Sequence, residues 1–339
     1  MDAPLWTETY APDLADLPQA EVREYLQKAV EEPINLVLYG PSGAGKTAAV
    51  RALAREAHED PDNDLVEINV ADFFGMTKKE IASDPRFASF IDSKRRRNSS
   101  KADLINHVLK ESASYSPVSG AYKTVVLDNA EAIREDFQQA LRRVMERHHE
   151  ATQFVITTRQ PTKLIPPIKS RCFPVAVRAP TPDEIVAVLE RIVEAEGVEY
   201  DRKGLEFVAG YAEGDLREAI LGAQTTVETE GELTRTAAFE VLRDVGVESD
   251  VEEMLDAAEA GEFQDARKTL DDLLVDEGYS GEEVLHEILD LAHSGRYAGD
   301  DLAELTVLAG EIDADLADGT SDRVHVGHLL AELGAATEA

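Results

Sequence analysis

Short apolar runs and stretches of helical spacing take turns along the first half of the chain; in the second half helical spacing prevails. Residues 21–32, "EVREYLQKAVEE", are spaced as a helix and lead into "INLVLYG", an apolar run that predicts a buried parallel strand. "GPSGAGKTAAVRALAREA" follows, a glycine-rich turn opening into a helix. A second strand is predicted at "LVEINV" (65–70), then a polar segment to about residue 120. "KTVVLD" is the third strand, "IREDFQQALRRVMERHH" a long helix, and "QFVITT" the fourth strand. Such strand–helix alternation marks an α/β domain with a mostly parallel sheet.

After "FPVAVRAPTPDEI" the strand signal fades. Thr181 and Glu184 form a capping box around Pro182 and start a run of helices. The expected organisation is an α/β core at 1–180, a small helical domain at 181–247, and a second helical domain at 248–339. The last begins after the acidic break "GVESDVEE" and turns at Gly261, Gly278, Gly295 and Gly319. No internal repeat of fixed period is evident.

Composition narrows the class. With 339 residues, 43% of them hydrophobic, the chain can bury a sizeable core. No apolar run approaches the roughly eighteen residues of a membrane span, and "MDAPLWTETYAPDL" lacks the basic and apolar regions of a secretory signal, so a cytoplasmic location is expected. The single cysteine, Cys172, excludes an internal disulfide and a CxxC metal or redox motif. Net charge is −34, from 68 acidic and 34 basic residues, yet apolar residues recur throughout, which fits a folded protein covered in carboxylates. That balance suits a high-salt cytoplasm, where screening removes much of the self-repulsion. Nucleic acid is therefore not excluded as a partner: what matters is where the few cations lie.

"GPSGAGKT" at 40–47 satisfies the full Walker A pattern between an apolar strand and a helix. In the run Gly40, Pro41, Ser42, Gly43, Ala44, Gly45, the glycines let the backbone wrap phosphates, and the helix N-terminus presents N–H groups to negative charge. Lys46 is expected to reach the β- and γ-phosphates of ATP, and Thr47 to ligate Mg²⁺. Asp128, ending "VVLD", is the natural carboxylate for the metal, or a strand-end cap for the next helix. A hydrolytic site normally has a Glu next to it. Here that position is Asn129, which has an acid's shape but is a poor proton acceptor. Glu131, two residues on, is an alternative base with a different direction.

With these motifs in view, the chain resembles the small subunits of replication factor C, the archaeal and eukaryotic sliding-clamp loader within the AAA+ ATPases. The resemblance runs from "WTETYAP" (6–12) through Walker A to "FQQALRRVME" (137–146), "SRC" (170–172) and "EGDLREAI" (213–220). It continues through "GEFQDARKTLDDLL" (261–274) and "EIDADLADGTSDRVHVGHLLAEL" (311–333), nearly the whole chain. It implies an AAA+ P-loop core, a helical lid and an all-helical collar that holds subunits in a ring. It also implies as partners the other small and large subunits, the sliding clamp and the primer–template backbone, with no membrane. By the same resemblance Arg171 is an arginine finger supplied in trans, Arg217 is a lid cation over the chain's own nucleotide, and Arg142 and Arg143 line the DNA chamber. Salt bridging to Glu146 on the same helix is the plainer reading of the last two.

The departures from the family fall on one side. Asn129 stands for the catalytic Glu, Arg159 for the neutral water-positioning Asn after the fourth strand, and Thr9 and Ala11 for Lys and Arg in the opening motif. The expectation is a divergent haloarchaeal subunit that grips ATP–Mg²⁺, hydrolyses it poorly and completes a neighbour's site within a DNA-stimulated ATPase. A purely structural nucleotide-binding subunit and an independent AAA+ remodeller are the alternatives. Lys94, Arg95, Arg96 and Arg97, inside a segment at 75–120 longer than its family counterpart, are either a surface loop or a DNA or clamp contact.

Overall fold

The computed structural model describes residues 4–84, 100–118, 120–245, 248–276, 278–318 and 321–337. Contacts divide the chain into two compact units, Met1–Ala238 and Phe239–Ala339.

The first unit is built on a parallel sheet of β1 (Leu36–Tyr39), β2 (Leu65–Asn69), β3 (Lys123–Asp128), β4 (Thr152–Thr158) and β5 (Phe173–Ala176), in the order β2-β3-β4-β1-β5. Every residue of β3 and β4 is buried, as expected of parallel strands covered on both faces. Alternate side chains feed two cores. Val37, Val125, Leu127, Phe154 and Ile156 pack on one side with α3 (Lys101–Ser114) and α4 (Glu135–His148). Leu36, Leu38, Val126, Val155 and Val175 pack on the other with α1 (Ala20–Glu31) and α2 (Lys46–Ala57).

The stretch expected to be polar as far as residue 120 is largely helical where it is described. Helix Lys78–Ser83 starts from a capping box at Thr77, and α3 from one at Ser100 and Asp103. Leu104, Ile105, Val108 and Leu109 then bury one face of α3, so the apolar periodicity begins only after "RRRNSS". Lys94 to Arg97 lie outside the described residues.

Beyond β5 come α5 (Pro182–Glu196), α6 (Arg202–Tyr211) and α7 (Leu216–Glu230), with α5 opened by the Thr181–Glu184 capping box. A short parallel pair that the sequence does not announce, Glu199–Tyr200 with Glu232–Leu233, ties this helical segment together. A further helix at Arg235–Val245 spans the division between the units.

The second unit is helical: α8 (Glu248–Glu259), α9 (Phe263–Asp271), α10 (Gly281–Leu291), α11 (Asp300–Asp318) and α12 (Asp322–Thr337). Its core is a single cluster including Met254, Leu270, Ile288, Ile312 and Leu329, one or more from each helix. Gly261, Gly278 and Gly295 take positive φ at the turns between helices. No described helix is long and apolar enough to cross a membrane.

Candidate nucleotide site

The C-terminal ends of β1, β3 and β4 converge, and the strand order decides what meets there. β4 lies between β3 and β1, so the residues leaving it stand between the P-loop and the strand that ends in Asp128. The Gly40 amide donates to the Thr158 carbonyl at 3.3 Å, tying the start of the P-loop to the end of β4. This is the edge where open α/β sheets bind ligands.

The P-loop has no room for side chains at two of its glycines. A Cβ on Gly40 would lie 1.8 Å from the Val177 carbonyl oxygen; one on Gly43, whose φ is +62°, would lie 1.9 Å from the Asp215 carboxyl carbon. Lys46 opens α2, buried, and its ammonium donates to the carbonyls of Gly40 at 2.9 Å and Pro41 at 2.5 Å. Burial lowers its pKa, while Glu131 and Asp128 pull the other way. The Thr47 hydroxyl donates to Asp128 at 3.0 and 3.1 Å, and Thr157 donates to the same carboxylate. Hydroxyl and carboxylate oxygens thus meet beside a helix N-terminus and a lysine, a donor set suited to a hard cation and a phosphate chain.

The rest of the strand-end motif differs in direction. Asn129 has φ +55°, in the left-handed region that Asn tolerates better than most residues, and its amide donates to Thr157 Oγ1 at 3.3 Å. Glu131 turns toward the end of β4. It accepts from Thr158 Oγ1 at 2.8 Å, from the Arg159 amide at 3.2 Å and from Arg159 Nε at 2.9 Å. Burial alone would raise the Glu131 pKa, but the hydrogen bonds from Arg159 and Thr158 outweigh it and hold the carboxyl below its ordinary value. Sequence reasoning takes Asn129, Glu131 and Arg159 one at a time; their linkage is visible only once β3 and β4 are known to be neighbours.

The lid segment reaches the same edge. Glu213 and Gly214 both take positive φ, a sharp turn that brings Asp215 against Gly43, and the Leu216 amide donates to the Gly43 carbonyl at 3.1 Å. Asp215 also caps α7, accepting from the amides of Arg217 at 2.8 Å and Glu218 at 3.0 Å. Arg217 stands exposed in the first turn of α7. The opening motif packs on this segment too: the Trp6 amide donates to Gln224 at 2.8 Å and Tyr10 to Glu196 at 2.6 Å.

Arg171 is elsewhere. Phe173 pairs with Leu36 and Ala176 with Tyr39, so Arg171 precedes the N-terminal end of β5, whereas the P-loop leaves the C-terminal end of β1. The four residues of β5 alone span about 13 Å. Its guanidinium donates to the Pro167 carbonyl at 2.7 Å and to Glu146 on α4. Glu146 also lies 3.5 Å from Arg142 Nε, the intrahelical pairing expected from the spacing, while Arg143 and Arg147 are exposed. Cys172 is partly buried, and that burial pushes its thiol up to about 12 and leaves it inert. Gln138 on α4, which sequence reasoning does not single out, bonds the Lys163 carbonyl at 2.9 Å and the Ile165 amide at 2.8 Å, fixing this helix to the segment after β4.

Known proteins share this organisation. The replication factor C C-terminal domain profile matches residues 247–332, and one described as DNA polymerase III, delta subunit, matches 20–181. A RuvB variant from Thermotoga maritima, 14% identical, superposes with a TM-score of 0.51 over 80% of this chain and 81% of that one, in keeping with a P-loop AAA+ fold. Replication factor C small subunits are similar from end to end: that of Sulfolobus acidocaldarius is 31% identical over 97% of this chain and 95% of its own. The Halobacterium salinarum subunit is 29% identical with the same coverages, and that of Methanothermobacter thermautotrophicus 30% identical over 97% of both chains. With likeness of this extent, the chain belongs to the replication factor C small-subunit family.

Proposed function

We propose that this chain is a subunit of a hetero-oligomeric clamp loader, acting with other small and large subunits to open a sliding clamp and place it on primer–template DNA. It binds ATP with Mg²⁺, hydrolyses it poorly in its own site, and lends Arg171 to a neighbour's nucleotide. Residues 1–180, 181–247 and 248–339 serve on this reading as core, lid and collar, in the cytoplasm.

The observation that carries the division of labour is the state of Glu131. The position beside Asp128 holds an amide, and Glu131, the nearby carboxylate, already accepts three hydrogen bonds and is charge-paired with Arg159. A carboxylate so engaged is a weak proton acceptor for water. The binding parts are retained. Lys46, whose ammonium rests on the P-loop carbonyls of Gly40 and Pro41, would meet the phosphate chain, and Thr47 with Asp128 offers oxygens to the metal. Mg²⁺ would neutralise charge on the β- and γ-phosphate oxygens. Arg217 in the lid helix is the lid's phosphate ligand on this reading.

The trans role of Arg171 is supported by its edge of the sheet, opposite to that of the chain's own P-loop. A guanidinium there can serve a phosphate only across a subunit boundary, where such a residue is worth orders of magnitude in rate. Arg142 and Arg143, on the α4 helix that also bonds Arg171, contact DNA phosphates without reading sequence.

The test is DNA-stimulated ATPase of the reconstituted complex. Arg171→Ala should remove the share of turnover contributed by the one neighbouring site it completes, that site slowing at least about a hundredfold while the others continue. Undiminished turnover would leave only a structural role, and strong turnover by the purified chain alone would favour an independent ATPase.

A further inference from the structure

Gln19 immediately precedes α1, the place where a short polar side chain ordinarily caps a helix, yet its side chain makes no cap hydrogen bond. It is spent elsewhere. Only 2% exposed, its amide donates to the Ala44 carbonyl in the P-loop at 3.0 Å and to the Arg178 carbonyl, in the linker between β5 and α5, at 2.9 Å. We propose that Gln19 and the backbone amide of Leu216 are positioning groups for the P-loop: they hold two successive loop carbonyls outward, so that the Ala44 and Gly45 amides face the β-phosphate, and they tie that grip to the lid. The proposal rests on the nucleotide reading given above.

The peptide plane carries the argument. A trans peptide directs its carbonyl and its N–H to opposite sides. The Gly43 carbonyl accepts from the Leu216 amide at 3.1 Å, which turns the Ala44 N–H away from α7. The Ala44 carbonyl accepts from Gln19, which turns the Gly45 N–H away from that side chain. Gly43 and Gly45 have φ of +62° and +88° and Ala44 between them does not take positive φ, the alternation of a backbone nest that gathers N–H groups around an anion. Other carbonyls of the motif are served from within it or its helix: Gly40 and Pro41 by Lys46, Gly45 by the Ala49 amide. Gly43 and Ala44 depend on groups from outside.

Both outside groups are tied to the lid. Leu216 is the first residue of α7. Arg178, whose carbonyl takes the second hydrogen of Gln19, holds Glu21 on α1 at 2.9 Å and Glu184 on α5 at 2.7 Å, so the linker is pinned to core and lid alike. A lid that swings out withdraws Leu216 from Gly43 and pulls on the carbonyl that steadies Gln19. Phosphate grip and lid position are then one setting.

The experiment uses the purified full-length chain with Mg²⁺ and two variants that remove the donors. Gln19→Met keeps the length of the side chain and loses both N–H groups. Leu216→Pro loses its amide at a first helical position, where proline fits, after an Asp215 whose φ of −85° and ψ of 105° suit a residue before proline. Each should weaken fluorescent ATP and ADP analogues about 10-fold and alike, since both nucleotides present the β-phosphate. Amide hydrogen exchange at saturating ATP reads the positions directly: Leu216→Pro should cost Ala44 its protection and spare Gly45, and Gln19→Met should do the reverse. Arg178→Ala, which loosens only the linker, should weaken ATP about two- to fivefold; wild-type affinity there would overturn the tie to the lid. Unchanged affinity in the first two variants, unchanged protection of both amides, or loss of protection throughout the core overturns the positioning role. Wild-type protein that binds neither nucleotide would instead overturn the reading on which the proposal rests.

Discussion

The guanidinium of Arg171 donates to the carboxylate of Glu146, 25 residues back on α4, and the same oxygen lies 3.5 Å from Arg142. To serve a neighbour's phosphate, Arg171 must leave that carboxylate. Both partners are about two-fifths exposed, and such surface pairs are worth only about 0.2–1 kcal/mol. Glu146→Gln should therefore leave the ATPase of the complex within about fivefold of wild type, on the high side, whereas Arg171→Ala abolishes the trans contribution. An equally severe loss in both would mean that Glu146 holds Arg171 in its working pose.

Asn129→Glu, the direct attempt to restore a base, should gain little. The residue has φ +55°, where a residue other than Gly, Asn or Asp costs about 1 kcal/mol or more, and Arg159 stands where a water-positioning amide is expected. The expected result is less than a threefold rise in single-turnover hydrolysis by the chain. A melting temperature lower by a few degrees should accompany it. A rise of a hundredfold would refute the account of the impaired site.

DNA contacts should be unequal along α4. Arg142 is already paired with Glu146, while Arg143 is exposed. Each phosphate contact adds about 0.9 to the slope of log affinity against log salt. Arg143→Ala should lower that slope by about one, and Arg142→Ala by less. Fluorescence anisotropy of the complex with primer–template DNA across a salt series measures both; equal slopes to wild type would place the DNA path elsewhere.

At the other edge of the sheet lies a buried lysine. Lys123 is only 2% exposed; burial brings its pKa down to about 8, opposed by the charge of Asp64, in a neighbourhood that includes His58, Tyr115 and Tyr122. An unfolded lysine titrates near 10.4. Between about pH 8 and the unfolded value near 10.4 the unfolded chain holds a proton that the folded chain has lost, so this group makes stability rise with pH; well below pH 8, where both forms are protonated, it contributes no slope. Denaturant titrations at stepped pH should show the rise in wild type and its absence in Lys123→Met. The same rise in both would mean that another group carries it.

Most of the sheet was legible because β3 and β4 are centred on β-branched and apolar residues, VVL and FVI, between polar ends, and the P-loop because its residue types and order have few other uses. What escaped were relationships across strands. Glu131 and Arg159 are 28 residues apart and meet only because β4 inserts next to β3, a fact of topology that no local period encodes. Asp215 reaches Gly43 through a turn of two positive-φ residues, one of them a glutamate, a residue type that rarely announces such a turn. The helix at 101–114 was hidden differently, by reading the polar stretch before it as continuing past its true end.

Because the P-loop and Arg171 lie at opposite edges of one sheet, the chain has a polarity. A partner related by a two-fold axis can exchange arginines only within a closed pair, through one shared interface. On the proposed reading, an assembly of more than two subunits in which each arginine serves the next nucleotide joins head to tail, through a heterologous interface. An arc built this way that does not close has one nucleotide site fewer completed than it has subunits, so a member whose own site hydrolyses poorly costs the assembly least where its site is the one left without a donor.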